Sequence, residues 1–467
     1  MSYRITLAAA LLLGGCAIPA SPPAVAPVAP ATLGLGNAAA LPIAQDWWRG
    51  FGDPQLDRLV ADAVAGNPTL EVALARVRQA QAVLASRRAE DGPDLSLDAT
   101  VQAARLSGRY TIPPPFAGSV RSIGQVQANL AWNLDLFGRQ QAAIEGARAS
   151  ARAVSLDLAA ARLAIAGSVV QAYVDLARAE QAAALAGRTI ANRQDSLRLV
   201  RVRIRNRLAS GLDATAAETL LAQAQGTLVR ANGSRALAAN ALAALAGRGP
   251  TYAAAIGATR LDLDAALPVP AVLPADLLAR RADIAAGEAR IDAAAAGRQV
   301  ARRAFYPNVN LSALAGLQAI GLGNLLSLDA GTLGVGPALS LPLFDHGRRT
   351  AELAGATAAL DVATADYNDR VIAAVREAAD ALALVANLAE QRTRSRAVVR
   401  GFTETNRLNA VRVASGLDSR LGIIDQDVRL LDAQLADVSL AADAARQRVA
   451  LLIALGGGFS PDQDVRP

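Results

Sequence analysis

The chain contains no lysine; all 47 of its basic residues are arginine. Neither a Walker A phosphate-binding lysine nor a Schiff-base lysine can exist in it. There is one cysteine, Cys16, so no intrachain disulfide can form, and one histidine, His346. That histidine lies in the turn-like "LFDHGRR" and lacks the partners that a metal site or a catalytic triad needs. No G-x-S-x-G or H-E-x-x-H motif is present, so no enzyme activity, metal or cofactor is expected. Aromatic residues make up 3% of the 467 residues, against 52% hydrophobic residues overall. Such an alanine- and leucine-rich mixture points to helices more than to a globular α/β enzyme. The 47 basic and 41 acidic residues alternate along helical stretches, with a net charge of +6. Interleaving of this kind marks solvated faces and argues against nucleic-acid binding.

The amino terminus carries more information. "MSYRITLAAALLLGGC" sets Arg4 before the apolar run Ile5 to Leu13 and ends on small residues and Cys16. The run is too short to span a bilayer and reads as a secretory signal over 1–15. Leu13-Gly14-Gly15-Cys16 resembles the bacterial lipobox, which makes Cys16 the expected site of lipidation, palmitate included. Ala17 follows in place of the aspartate associated with inner-membrane retention, so the outer membrane is the expected destination. Residues 16–45, rich in proline and alanine and without period, read as an extended tether.

From residue 46 the chain repeats itself, over 46–260 and 261–467. Leu70, Arg76, Ala80, Pro93 and Leu97 match Ile284, Arg290, Ala294, Pro307 and Leu311, all 214 positions later. The pentapeptide "ASGLD" occurs at Ala209–Asp213 and at Ala414–Asp418, 205 apart. In each repeat a helix ends before a proline (the second is expected over 276–303), and two alternating stretches of about ten residues follow. Strands are expected near 94–105 and 121–136, and near 307–318 and 333–344; length and period suit tilted strands crossing a bilayer. Hairpins in a soluble sheet are the alternative.

Proline-free helical runs come next, from 139 and from 347, each on the order of 100 Å long at 1.5 Å per residue. With their return helices they predict antiparallel hairpins over 139–246 and 347–455, packed closely through alanine along a heptad-like seam of Leu, Ile and Val. Gly211 and Gly416 are expected to end the long helices, with Asp213 and Asp418 capping the returns, so that Gly211, Leu212, Asp213, Gly416, Leu417 and Asp418 form the tips. Four strands cannot close a barrel, and an open edge in lipid leaves backbone groups unpaired. The expected fold is therefore mainly α with a small β part, completed by copies around an axis.

Two long segments carry a family resemblance. Asp46–Ala82 ("DWWRGFGDPQLDRLVADAVAGNPTLEVALARVRQAQA") and Leu273–Gly316, with Arg280-Arg281, Asp283-Ile284, Glu288 and Tyr306-Pro307, resemble the outer-membrane efflux proteins, the TolC/OprM-like factors, in their NodT-like lipoprotein branch. Ala282 stands where a proline is usual and Gly287 where an alanine is usual. The resemblance implies a homotrimer with a twelve-stranded barrel in outer-membrane lipid and a periplasmic helical tunnel. It implies a periplasmic adaptor and an inner-membrane pump, usually of the resistance-nodulation-division class, as partners for expelling drugs or other small molecules. On "GLDSRLGIIDQD" it places an apolar constriction at Leu421 and an acidic ring at Asp425. Asp427 is able to share that role, and Glu218 is the weaker counterpart in the first repeat. Arg205 and Arg207 close an arginine run (Arg198, Arg201, Arg203) at the end of the first long helix. They stabilise that helix end through its dipole, pair with neighbouring hairpins or help seat the adaptor. Exit ducts for type I protein secretion share the fold, and a non-transporting coiled-coil lipoprotein is the reading from another class.

Overall fold

A computed structural model describes residues 19–33, 43–109, 112–265, 267, 278–417 and 420–459. In chain order the elements are α1 (Pro54–Gly66), α2 (Pro68–Ala89), β1 (Asp94–Arg105), β2 (Val120–Leu134), α3 (Arg139–Arg205), α4 (Gly211–Leu245) and α5 (Pro250–Ala255). The second half follows with α6 (Ala282–Arg303), β3 (Asn308–Ile320), β4 (Gly331–Ser340), α7 (Arg348–Ala414) and α8 (Arg420–Ala454). The fold is mainly α with one four-stranded antiparallel sheet. The helix expected over 276–303 begins at Ala282, after a short 3-10 turn at Leu278–Arg280. β4 ends at Ser340, short of the expected 344, because Pro342 has no N–H to offer the ladder.

The repeats do not fold as separate bodies. One compact unit takes residues from both (Arg76–Val154 and Gly287–Tyr367), and the other does the same (Ser155–Ala286 and Asn368–Pro467). The first unit contains the sheet. In its amino-terminal part the chain lies along α6 and α7: the Asp361 carboxylate of α7 accepts from the N–H groups of Ala24 and Val25, and Arg298 of α6 donates to the Ser21 carbonyl. The second unit contains the largest buried cluster, where Trp47, Phe51 and the α1 face Leu56, Leu59, Val60 and Ala63 meet Val169, Val170, Tyr173 and Leu452. The α1 spacing is that of one helical face.

α3 and α7 have 67 residues each, and α4 and α8 have 35 each. All four pairs of ends lie 209 positions apart, so the hairpins match residue for residue. In α4 the buried positions include Ala217, Ala224, Ala231 and Ala238, seven apart, and end with Leu242 and Ala243. Ala217 packs against Leu197 and Val200 of α3, so the small side chains of α4 face the larger apolar ones of the long helix.

The tips correct the reading of the pentapeptide. The first long helix closes on Arg207, which has φ +59°, and the Leu208 N–H bonds back to the Arg203 carbonyl. Gly211 does not end that helix; it is the first residue of α4. The cap is Ser210 rather than Asp213, and Asp213 is the third residue, whose carboxylate accepts from the Ser210 N–H in a reciprocal capping box. At the second tip Gly416, with φ +73°, does end the helix, and the Leu417 N–H bonds to the Arg412 carbonyl. Arg207 and Gly416 are therefore the equivalent positions, and the two ASGLD copies lie four residues out of structural register. Asp418 lies outside the described residues.

Candidate functional site

The sheet, in the order β1-β2-β3-β4, is fully antiparallel. Its register aligns Leu95 with Leu130, Leu97 with Ala128, Leu130 with Ala313, Trp132 with Leu311, and Leu311 with Pro337. With side chains alternating along each strand, Leu95, Leu97, Val126, Leu130, Leu311, Leu333, Val335 and Leu339 share one face. That face is open: Leu333 is 87% and Leu97 73% exposed. The opposite face carries Ser96, Asp98, Gln125, Gln127 and Asn129. On it Gln127 donates to Asn129, and Asn129 donates to the Asp98 carboxylate at 2.7 Å. An uncovered apolar face opposite a hydrogen-bonded polar one is the pattern of a sheet with lipid on one side and water on the other. Among the described residues β1 and β4 each pair on one side only.

At the helical end both tips expose leucine. Leu208, Leu212 and Leu417 have from 67% to 79% of their surface open. The 209-residue offset sets Glu218 opposite Asp427, one on each return helix. Each is held by its own hairpin: Glu218 pairs with Arg201 at 2.9 Å, and Asp427 accepts from the Asn406 side chain at 2.7 Å. Burial pushes the Asp427 carboxyl above its ordinary value, with the Arg188 charge opposing. Arg201 and Asn406 were not legible as partners, because the 205-residue spacing of the pentapeptides hides the 209-residue register. Arg205 and Arg207 are exposed, and neither forms an ion pair among the described residues. The structure describes the backbone but not the side chains at Leu421 and Asp425, and Cys16 lies outside the described residues. His346 sits in a turn with φ +54°, beside the Phe344 ring.

Two polar knots, one buried at Asp53 and one half-buried at Arg281, tie together segments distant in the chain. Asp53 caps α1 and accepts the Tyr173 hydroxyl at 2.6 Å, the Arg260 N–H at 2.7 Å and the Gln55 N–H at 3.0 Å. Burial by itself would raise this carboxyl; the hydrogen bonds outweigh it and hold the group below its ordinary range. In the second repeat Arg281 donates to Asp283, to Glu377 and to the Ala454 carbonyl at the end of α8. The position 214 residues earlier, Asn67, donates to the Leu245 carbonyl at the end of α4. The same task is done by an amide in one repeat and a guanidinium in the other. A sequence match of Asn with Arg gives no sign of that.

A sheet with one apolar open face and one polar face, together with helical hairpins, is the arrangement of an outer-membrane channel protein. The outer membrane efflux protein family matches residues 59–248 and 273–457, and the chain belongs to that family. The solvent efflux pump outer membrane protein SrpC of Pseudomonas putida is 32% identical over 98% of both chains. Outer membrane protein OprJ of Pseudomonas aeruginosa is 31% identical over 96% of this chain and 94% of that one. Among solved structures, the outer membrane protein VceC of Vibrio cholerae superposes with a TM-score of 0.81 at 31% identity, covering 90% of this chain and all of that one. The Campylobacter jejuni CmeC outer membrane channel shares the fold with a TM-score of 0.83. The chain is thus the outer-membrane channel component of an efflux system.

Proposed function

We propose that three copies complete a passive exit duct, through which small molecules delivered by an inner-membrane pump and a periplasmic adaptor leave the cell. The observation that carries this is the sheet: one uncovered apolar face, one polar face and unpaired outer edges on β1 and β4. Twelve residues of β1 at about 3.3 Å each, tilted about 45°, rise roughly 28 Å, close to the hydrocarbon thickness of a bilayer. Pairing β4 of one copy with β1 of the next removes every free edge, and three copies give a barrel of twelve strands. The printed names of the relatives, which include toluene and solvent efflux pumps, support small organic molecules as cargo.

Further assignments go with this reading. Cys16, at the end of the lipobox-like Leu13-Gly14-Gly15-Cys16, carries the lipid. The exposed tip leucines Leu212 and Leu417, with Gly211, Asp213, Gly416 and Asp418, meet the adaptor, and Arg205 and Arg207 supply charge beside them. Leu421 and Asp425 narrow the periplasmic entrance, assisted by Asp427 and Glu218. Like carboxylates brought close around an axis repel one another and attract cations, so such a ring is poised to open. Purification in detergent followed by electron microscopy and planar-bilayer recording tests the core of this reading. A three-fold particle that conducts is expected; a monodisperse, non-conducting monomer ends it.

A further inference from the structure

The first compact unit contains a cavity of about 260 Å³ where the strands give way to helices. It is bordered by the ends of β2, β3 and β4 and by the starts of α3 and α7, directly below the last apolar residues of the sheet. Four arginines line it, Arg139, Arg303, Arg348 and Arg349, against two acids, Asp135 and Glu352. Arg348 is paired with Glu352 and Arg349 with Asp345. Arg303 donates to the neutral Gly138 carbonyl, so its charge is uncompensated. Arg139 has no ion pair among the described residues. Asp135, the remaining acid, accepts from the Gln141 N–H. Arg139 and Arg303 therefore line the cavity outside any ion pair among the described residues, and with Asp135 beside them the group keeps one net positive charge.

Exposed apolar side chains border the cavity. Leu136 and Phe137 line the cavity and are exposed, and Leu343 and Phe344, just beyond the lining residue Pro342, are exposed as well. Large apolar side chains left open at the end of an apolar sheet face belong at the bilayer boundary. Phe137 stacks flat on Tyr306, with ring centroids 5.2 Å apart, and stiffens one wall. At that depth the anionic group available in number is the phosphate of a lipid headgroup, and guanidinium groups match its oxygens in geometry.

We propose that this cavity binds the phosphate of an anionic lipid headgroup, one per protomer, in the membrane leaflet nearest the helices. The proposal rests on the sheet spanning the membrane. The test is native mass spectrometry of the full-length protein in detergent, titrated separately with phosphatidylglycerol, with diacylglycerol and with inorganic phosphate. Wild type is compared with the double variant Arg139→Gln/Arg303→Gln, with Arg139→Lys and with the distant Arg230→Gln. Phosphatidylglycerol is expected to bind once per protomer and diacylglycerol not to bind. The double variant is expected to bind roughly 30-fold more weakly, from about one factor of five per surface charge removed, while Arg139→Lys and Arg230→Gln stay near wild type. Equal binding of diacylglycerol, equal binding by the double variant, or retention of inorganic phosphate without the lipid overturns the proposal. Conductance recorded on the same preparations separates this from the duct reading. Conducting wild-type channels that ignore phosphatidylglycerol sink the lipid site alone, whereas a preparation that never conducts sinks the duct.

Discussion

Replacing Tyr173 with phenylalanine isolates one hydrogen bond in the second unit's core. The ring stays, fully buried among the α1 side chains, so no cavity opens. What disappears is the 2.6 Å bond to the Asp53 carboxylate. Gln55 loses an acceptor but keeps the Gly257 carbonyl at 3.1 Å, and Asp53 keeps the N–H groups of Gln55 and Arg260. Neither is stranded, so the cost is that of one bond to a charged acceptor, about 2 kcal/mol at pH 7. The pH dependence follows from the sign of the Asp53 shift. Its folded value lies below the ordinary 3.8, so the stabilisation is fully present above that value and fades as pH falls through the lowered one. Removing the hydroxyl moves the folded value back up, and the gap between wild type and Tyr173→Phe closes as pH falls past 3.8. Guanidinium unfolding in a non-ionic detergent at fixed protein concentration, followed through Trp47 and Trp48 fluorescence, measures it. Combining the change with Asp53→Asn should cost less than the sum of the two alone. A loss under about 0.5 kcal/mol, or a gap unchanged from pH 7 to pH 3, refutes the reasoning.

Other outcomes are expected from the same structure. Asp425→Ala should raise single-channel conductance in planar bilayers, and unchanged conductance removes Asp425 from the entrance. The Asp427 carboxyl has a folded value above its unfolded one, so its ionisation opposes folding at neutral pH and the penalty is relieved as pH falls toward 3.8. Asp427→Asn should therefore match or exceed wild-type stability at pH 7 and lose that advantage in acid, as read by thermal unfolding at the two pH values. Ala231→Leu adds bulk at a buried α4 alanine and should destabilise by about 1–3 kcal/mol in guanidinium unfolding, while Thr219→Leu, at an exposed position of the same helix, should cost little. Cys16→Ser should lose the mass of the acyl chains in the intact mature protein; an unchanged mass refutes lipidation there.

Much of the architecture was legible because its signals are periodic. β1 shows the alternation of Leu95, Leu97 and Val101 with Ser96, Asp98 and Thr100, and the long helices show unbroken runs without proline. What stayed hidden depends on register. Identical letters at Ala209–Asp213 and Ala414–Asp418 invited equivalence, yet backbone hydrogen bonding makes Arg207 the partner of Gly416. An arginine in a left-handed conformation gives no local signal, since Arg207 lacks the glycine that ordinarily announces such a turn. The polar knots were equally silent. Tyr173 and Arg260 stand 120 and 207 positions from Asp53 in the chain, and only folding brings them together.

The two hairpins agree in length to the residue and differ where they end, one turning on an arginine and the other on a glycine. In a ring of three copies, their shafts would alternate as six near-identical staves with two kinds of head. A partner fitted over them would meet the arginine-ended and glycine-ended tips in turn around the circle. Such a joint gives a coupling partner a way to tell neighbouring sockets apart without any difference in the body of the pipe.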